Sequence, residues 1–294
     1  MRSTEAAIFI ITYKNRYKEL LQYANEIQNY DVYVVLQTND DTSIYDEYTW
    51  KDHVHVVVAD VERIGPKRQF CLDFAREHGY TYSIQFDDDI RNTPKKITPE
   101  SKRTTSNSYR KVNTTIDELV DTLVDTARKY NAAFVSPTLD FLLGFSQPGR
   151  RNVNRSIQSG QVTLQNVNML YENNIKYPTM DLINEDIVLL FEILRKSLPC
   201  VTVADYCFCV HNSSNKLSNS IVNHNERYDM LHLNMFIEYP GVIKLYIDKE
   251  NKLRIRTTWK NFPDHTQDIY DQEFYDLCKT KDMEKIKKYI TDNK

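Results

Sequence analysis

The sequence predicts an α/β fold, a mixed sheet flanked by helices with a C-terminal hairpin and helical extension. Three patterns carry this. Short β-branched runs alternate with helix-like segments through the N-terminal third, a Gly/Pro-bounded helix precedes the fourth such run, and a late helix is apolar on nearly all sides.

Taken in order, "AIFIIT" reads as a buried strand, Tyr17 to Gln28 as a helix, "DVYVVLQ" as a second strand and "HVHVVVAD" as a third. Gly65-Pro66 opens a helix with Pro at its first position, Phe70 and Phe74 share one face, and Gly79 closes it. "YTYSIQF" is a fourth strand that delivers Asp87, Asp88 and Asp89 into a loop at its C-terminal end, where open α/β sheets bind ligands. A basic loop follows. Thr115-x-x-Glu118 is a capping box for a helix whose stripe Ile116, Leu119, Val120, Leu123, Val124, Ala127 and Tyr130 faces the core. "AAFVSP" is a strand, an irregular stretch reaches about Gly160, and "QVTLQNVNML" is a strand entering a short helix. Asn184 can cap "EDIVLLFEILRKSL", and "CVTVADYCFCVH" returns as strand. A polar Asn/Ser loop, the hairpin "GVIKLYID" to "RIRTTW" and a helical tail from Asp268 to Ile290 complete the chain. The expected organisation is a catalytic domain over residues 1–224 with an extension, 225–294, packed on it.

Composition narrows the function. A hydrophobic content of 41% supports a full core. The early apolar run Ala6 to Ile11 is too short to span a bilayer and no leader-like segment precedes it, so the expectation is a soluble cytoplasmic protein with no membrane partner. The five cysteines include no Cys-x-x-Cys pair, which suits reduced thiols. The six glycines are not spaced for a dinucleotide turn, and Gly144 to Gly149 is followed by Arg150 and Arg151 where a P-loop needs Lys and Ser/Thr. Neither His-Glu-x-x-His nor Gly-x-Ser-x-Gly occurs.

Within "SIQFDDDIRN" three adjacent carboxylates repel unless a cation or a set of donors offsets them. Hard carboxylate oxygens bind Mg²⁺ or Mn²⁺, and such an ion can bridge the phosphates of a nucleotide-sugar and offset the charge of a departing diphosphate. The plain alternative is an acidic surface turn.

The segments "IFIITYKNR", "RIGPKRQFCLDFAREHGYTYSIQFDDDI" and "NNIKYPTMDLINEDIVLLFEIL" together resemble the GT-A (Rossmann-like) fold of nucleotide-sugar glycosyltransferases. The last two are similar to phage-encoded TET-associated glycosyltransferases, which decorate modified DNA bases, and the resemblance covers about residues 6 to 211. It implies that Asp87 and Asp89 hold metal and nucleotide, with Asp88 beside them. It also implies that Thr12, Tyr13 and Arg16 meet the base and ribose, and that Lys67 and Arg68 face ribose or diphosphate; an exposed helix face is the alternative for the last two. Glu185 and Asp186 match the position of a carboxylate that takes the acceptor hydroxyl proton, although acids at a helix N-terminus are also favoured by its dipole. His211 stands where some GT-A enzymes supply a further metal ligand, with His224 as its rival.

Charge bears on the partner. Between Arg91 and Lys111 stand Arg91, Lys95, Lys96, Lys102, Arg103, Arg110 and Lys111 against Glu100 alone, and Arg150, Arg151 and Arg155 form a second cluster. Basic patches on an acidic body suit a polyanion, or else form a solvated loop without a partner. With the resemblance, the expected activity is transfer from a UDP-sugar, with Mn²⁺ or Mg²⁺, to a 5-hydroxymethylated pyrimidine such as hydroxymethylcytosine in bacteriophage DNA. A cell-surface glycan acceptor, a non-catalytic DNA-binding protein and a metal nuclease are the competing readings.

Overall fold

The computed structural model describes residues 3–12, 20–38, 50–61, 63–97, 110–139, 148–154, 160–178, 185–210, 225–257 and 270–293. The chain divides into two compact units, Met1–Thr179 with Glu185–Asn212, and Met180–Asn184 with Ser213–Lys294.

The first unit is built on strands β1 (Ala6–Ile11), β2 (Asp31–Gln37), β3 (Val54–Ala59), β4 (Tyr82–Asp87), β5 (Ile90–Ile97), β6 (Arg110–Thr114), β7 (Phe134–Leu139), β8 (Arg151–Val153), β9 (Val162–Asn166) and β10 (Cys200–Val210). Among the described residues they form one sheet in the order β3-β2-β1-β4-β9-β7-β10-β5-β6, with β8 beside β10. The pairs β1–β2, β1–β4, β2–β3 and β7–β10 are parallel, and β9 runs antiparallel to both β4 and β7. The C-terminal ends of β1, β4, β7 and β10 therefore share one edge of the sheet, the edge where α/β proteins place ligands.

Helices α1 (Ile64–Glu77), α2 (Ile116–Tyr130), α3 (Val167–Glu172) and α4 (Glu185–Arg195) accompany this sheet. Every residue of β1 is buried, which explains its unbroken apolar run. Ile8 and Ile10 join Leu119, Val120, Leu123 and Val124 of α2 in the core, whereas Phe9 meets Tyr33 and Phe74 of α1 with ring centroids 5.4 and 5.9 Å away. Thr115 caps α2 as expected, its Oγ1 accepting from the Glu118 amide at 3.1 Å. In α4 Val188, Leu189, Leu190, Phe191, Ile193 and Leu194 are buried, in line with its all-round apolarity.

Several local expectations need correction. Pro66 is the third residue of α1, not the first; it remains within the opening turn, where a missing N–H costs nothing. Gly79 follows the helix with φ +78°, its N–H donating to Arg76 O at 3.1 Å. In place of a helix from Tyr17 to Gln28, the described part is a 3-10 helix, Leu20–Glu26. The basic segment after the acidic triplet is no loop at its ends. Its flanks form the antiparallel pair β5–β6, and Lys95 and Ile97 alternate with Lys96 across it, a period that the many lysines hide.

The second unit contains α5 (Asn225–Glu238), the hairpin β11 (Ile243–Ile247) and β12 (Leu253–Thr257), α6 (Gln272–Lys279) and α7 (Met283–Asp292). Helix α5 has no counterpart in the sequence reading, because Met230, Leu231, Leu233, Met235, Phe236 and Ile237 are spread around it without one apolar stripe. The tail is two helices; Asp282 starts α7 by accepting from the Lys285 amide at 3.2 Å. Phe236, Tyr270, Phe274 and Tyr275 pack together, and Asp229 ties α5 to Leu253 N (2.9 Å) and to Lys287 Nζ (2.5 Å). Among the described residues no helix is long and apolar enough to cross a membrane.

Candidate active site

The acidic triplet stands on the shared edge. Ile11 pairs with Asp87 in the β1–β4 register, so the residue after β1, Thr12, lies beside the residue that ends β4. Both strand ends are pinned through backbone groups. Lys67 Nζ donates to Thr12 O at 2.6 Å, Tyr23 Oη donates to Asp87 O at 3.1 Å, and Asp87 N donates to Gln161 O at 2.8 Å. Asp88 and Asp89 form the turn into β5 with only 5% and 4% of their surfaces exposed, which removes the surface-turn alternative. Burial pushes the Asp87 carboxyl up to about 6; Arg68 pulls it down, while Asp89 and Glu185 add to the rise. The Tyr23 hydroxyl is raised too, first by burial and then by Asp88, Asp87 and Asp89.

Arg68 connects this edge to helix α4. Its Nη2 donates to Asp87 Oδ1 and its Nε to Glu185 Oε1, each at 2.9 Å, and the residue is 4% exposed. Burial opposes the guanidinium charge, yet Asp87 and Glu185 outweigh it and keep Arg68 protonated. Below lies a buried polar layer. Gln85 Nε2 donates to Arg68 O at 3.0 Å, Tyr177 Oη to Gln85 Oε1 at 3.3 Å and Gln165 Nε2 to Tyr177 Oη at 3.1 Å. One glycine makes the approach of α1 possible. A Cβ on Gly65 would sit 2.6 Å from the backbone oxygen of Pro178 and 3.6 Å from Glu185 Cβ.

The structure thus brings together Thr12, Lys67, Arg68, Asp87, Asp88, Asp89 and Glu185, with half-buried Asp186 next to Glu185 on the first turn of α4. Lys67 and Arg68 are not on an exposed helix face, and both are engaged with protein groups. Tyr13, Arg16, His211 and His224 lie outside the described residues, as do Lys102, Arg103 and Arg155. Tyr23, Tyr177 and Gln85 escaped the sequence reading. For Gln85 the signal was there, a glutamine in the middle of the buried strand "YSIQF".

The basic residues divide into two kinds. Arg91, Arg110, Lys111 and Arg150 are exposed, and Lys96 stands directly opposite Lys111 on β5–β6. Lys95 is paired with Glu118, near the Tyr206 ring. Arg151 is held by Asp205, Nη1 to Oδ1 at 2.6 Å, with Nε on Thr126 Oγ1 at 3.2 Å.

Among the described residues no three His, Cys, Asp or Glu side chains cluster so as to hold a metal by themselves. A Mg²⁺- or Mn²⁺-sized ion bridging phosphates needs fewer protein ligands, since one or two carboxylates suffice beside the diphosphate and water. Three consecutive carboxylates at a strand end, with Asp87 raised first by burial and further by Asp89 and Glu185, fit such an ion.

The family model of the TET-associated glycosyltransferases matches residues 6–216. No curated protein matches the chain. Among solved structures, S. aureus TarS 1-349 in complex with UDP-GlcNAc is similar over 81% of this chain and 66% of its own, with 14% identity and a TM-score of 0.50. A mannosyltransferase from Pyrobaculum calidifontis in complex with GDP-Man and Mn²⁺ is similar over 67% of this chain and 54% of its own, with 16% identity and a TM-score of 0.45. The chain thus spans just under two thirds of the TarS fragment and about half of the mannosyltransferase.

Proposed function

The chain belongs to the TET-associated glycosyltransferase family and has the GT-A fold, and from that premise we propose that it moves a sugar from a nucleotide-sugar, a UDP-sugar first among them, to a 5-hydroxymethylated pyrimidine in DNA. The observation that carries this is one guanidinium joining the acidic end of β4 to the acidic first turn of α4, so that carboxylates suited to a donor and to an acceptor stand together. Asp87 and Asp89 would hold Mn²⁺ or Mg²⁺, with Asp88 shaping the turn and, if it lies near the ion, His211 as a further ligand. The ion, when bound, offsets the charge of the departing diphosphate. Thr12, Tyr13 and Arg16 would meet the nucleoside at the end of β1.

At α4 the two acids divide their work. Glu185 Oε1 accepts from Arg68, and Asp186, beside it on the first turn of α4, is the residue proposed to take the proton from the acceptor oxygen as that oxygen attacks the anomeric carbon. Lys67 and Arg68 shape the edge from within. Arg91, Lys95, Lys96, Arg150 and Arg151 were expected to follow DNA phosphates; the exposed Arg91, Arg150, Arg110 and Lys111 are the ones proposed to do so, with the acceptor base flipped toward the acidic edge. Such an enzyme would act in the cytoplasm, of an infected host if it is phage-encoded. The unit built around α5 to α7 is proposed as an extension of the catalytic domain.

Nucleoside mass spectrometry tests this. DNA containing 5-hydroxymethylcytosine is incubated with the protein, Mn²⁺ and a panel of UDP-sugars, alongside an Asp89→Ala control. A hexose or pentose increment absent from the control is the expected result. Release of UDP without a nucleoside increment moves the acceptor to another base or a glycan, and the absence of both products with every donor contradicts the proposal.

A further inference from the structure

Arg68 stands between Asp87, which the proposed reaction assigns to the donor, and Glu185, the neighbour of the acid it assigns to the acceptor. We infer that Arg68 is a positioning residue, coupling occupancy of the acidic turn to the placement of the first turn of α4, and hence of Asp186, through the bridge Asp87–Arg68–Glu185. This rests on the nucleotide-sugar reading above.

Three features favour a coupling device over a plain structural tie. First, the guanidinium uses separate nitrogens for the two acids, Nη2 for Asp87 and Nε for Glu185, each at 2.9 Å. Because the group is planar and rigid, its shift toward one carboxylate changes its distance to the other. Second, the fork is braced from beneath. Its Nη1 reaches Gln85 Oε1 at 3.4 Å, and Gln85 Nε2 returns to Arg68 O at 3.0 Å. Third, the first turn of α1 has no slack against the chain leading into α4, since even one methyl on Gly65 would lie 2.6 Å from Pro178 O. Fold stability alone does not ask for this arrangement. A buried guanidinium between two part-buried carboxylates is commonly no more stabilising than apolar side chains of the same volume, so the charges here serve geometry better than they serve stability. When a cation draws on the charge of Asp87, the guanidinium is attracted more strongly to Glu185, and the first turn of α4 is held more tightly.

Hydrogen exchange across residues 187–193, with and without Mn²⁺–UDP and separately Mn²⁺–GDP, reads the coupling without requiring turnover. In the wild type, exchange there should slow on the order of tenfold when nucleotide binds, the size of an ordinary coupling between linked sites. Arg68→Lys keeps the charge but loses the fork, and Glu185→Gln cuts only the α4 arm. Both should lose the slowing while still binding Mn²⁺–nucleotide, with affinity lowered by no more than the coupling itself, about tenfold. If Arg68→Lys does not fold, Glu185→Gln decides alone. Nucleotide binding by the wild type with unchanged exchange in α4, or full slowing in Glu185→Gln, overturns the coupling and leaves the nucleotide-sugar reading standing. Failure of the wild type to bind either nucleotide sinks that reading, and the coupling with it.

Discussion

The acidic edge and the basic strand pair carry opposite charge and treat it in opposite ways. At the edge Lys67, Arg68, Asp88 and Asp89 are each at most 5% exposed, and Arg68 is cross-linked to Asp87 and Glu185. On β5–β6 Arg91, Arg110 and Lys111 face solvent, and Lys96 is set opposite Lys111. Buried, fixed charge acts on a reacting centre at short range with little screening, whereas exposed charge acts at longer range and is screened by salt. The difference teaches that the two regions should fail differently when disturbed. Damage to the edge should lower turnover, and damage to the strands should lower DNA affinity.

The largest expected effect is at the edge. Asp89→Ala should reduce sugar transfer by about 10³-fold, the range lost when a centre that stabilises leaving-group charge is removed, measured as kcat/KM for the donor. Asp186→Asn should cost about 10²-fold in kcat with little change in the KM for DNA, as expected for loss of a general base. Should Asp186→Asn instead raise only KM, the base lies elsewhere.

The two neighbouring arginines of the second basic cluster sharpen the comparison. Arg151→Ala strands the buried Asp205 and should lower stability by about 3 kcal/mol, visible as a reduced denaturation midpoint. Arg150→Ala, at an exposed position, should leave the midpoint within about 0.5 kcal/mol of the wild type. Equal midpoints for the two would break the distinction. The smallest effect belongs to the strands. Arg91→Ala and Arg110→Ala should each weaken DNA binding a few-fold and reduce the salt slope by about 1, with kcat unaltered; a salt-independent KM would remove phosphates as their partner.

Much of this was legible in the chain. Strand β2 was readable at both ends, because a buried parallel strand is an unbroken β-branched run. The acidic triplet and the Glu-Asp pair were readable as candidate site residues because each adjoins an apolar run at an element boundary. The partners of Arg68 were not, since Asp87, Gln85 and Glu185 are brought to it by tertiary contacts over up to 117 positions of chain. Nor could sequence separate Arg150 from Arg151. Their difference depends on Asp205, which occupies the irregular middle of β10, where the register against β7 shifts between Val203 and Cys207. Roughly 20 Å of strand separates Lys96 from the acidic turn, from its position along β5, whereas Arg91 follows that turn directly.

Calorimetric titration of the wild type and of Asp89→Ala with UDP, in Mn²⁺ and in chelator, addresses the acidic edge directly. The account predicts binding to the wild type that requires the cation and is lost in the variant. Binding that survives both chelation and the substitution would contradict it.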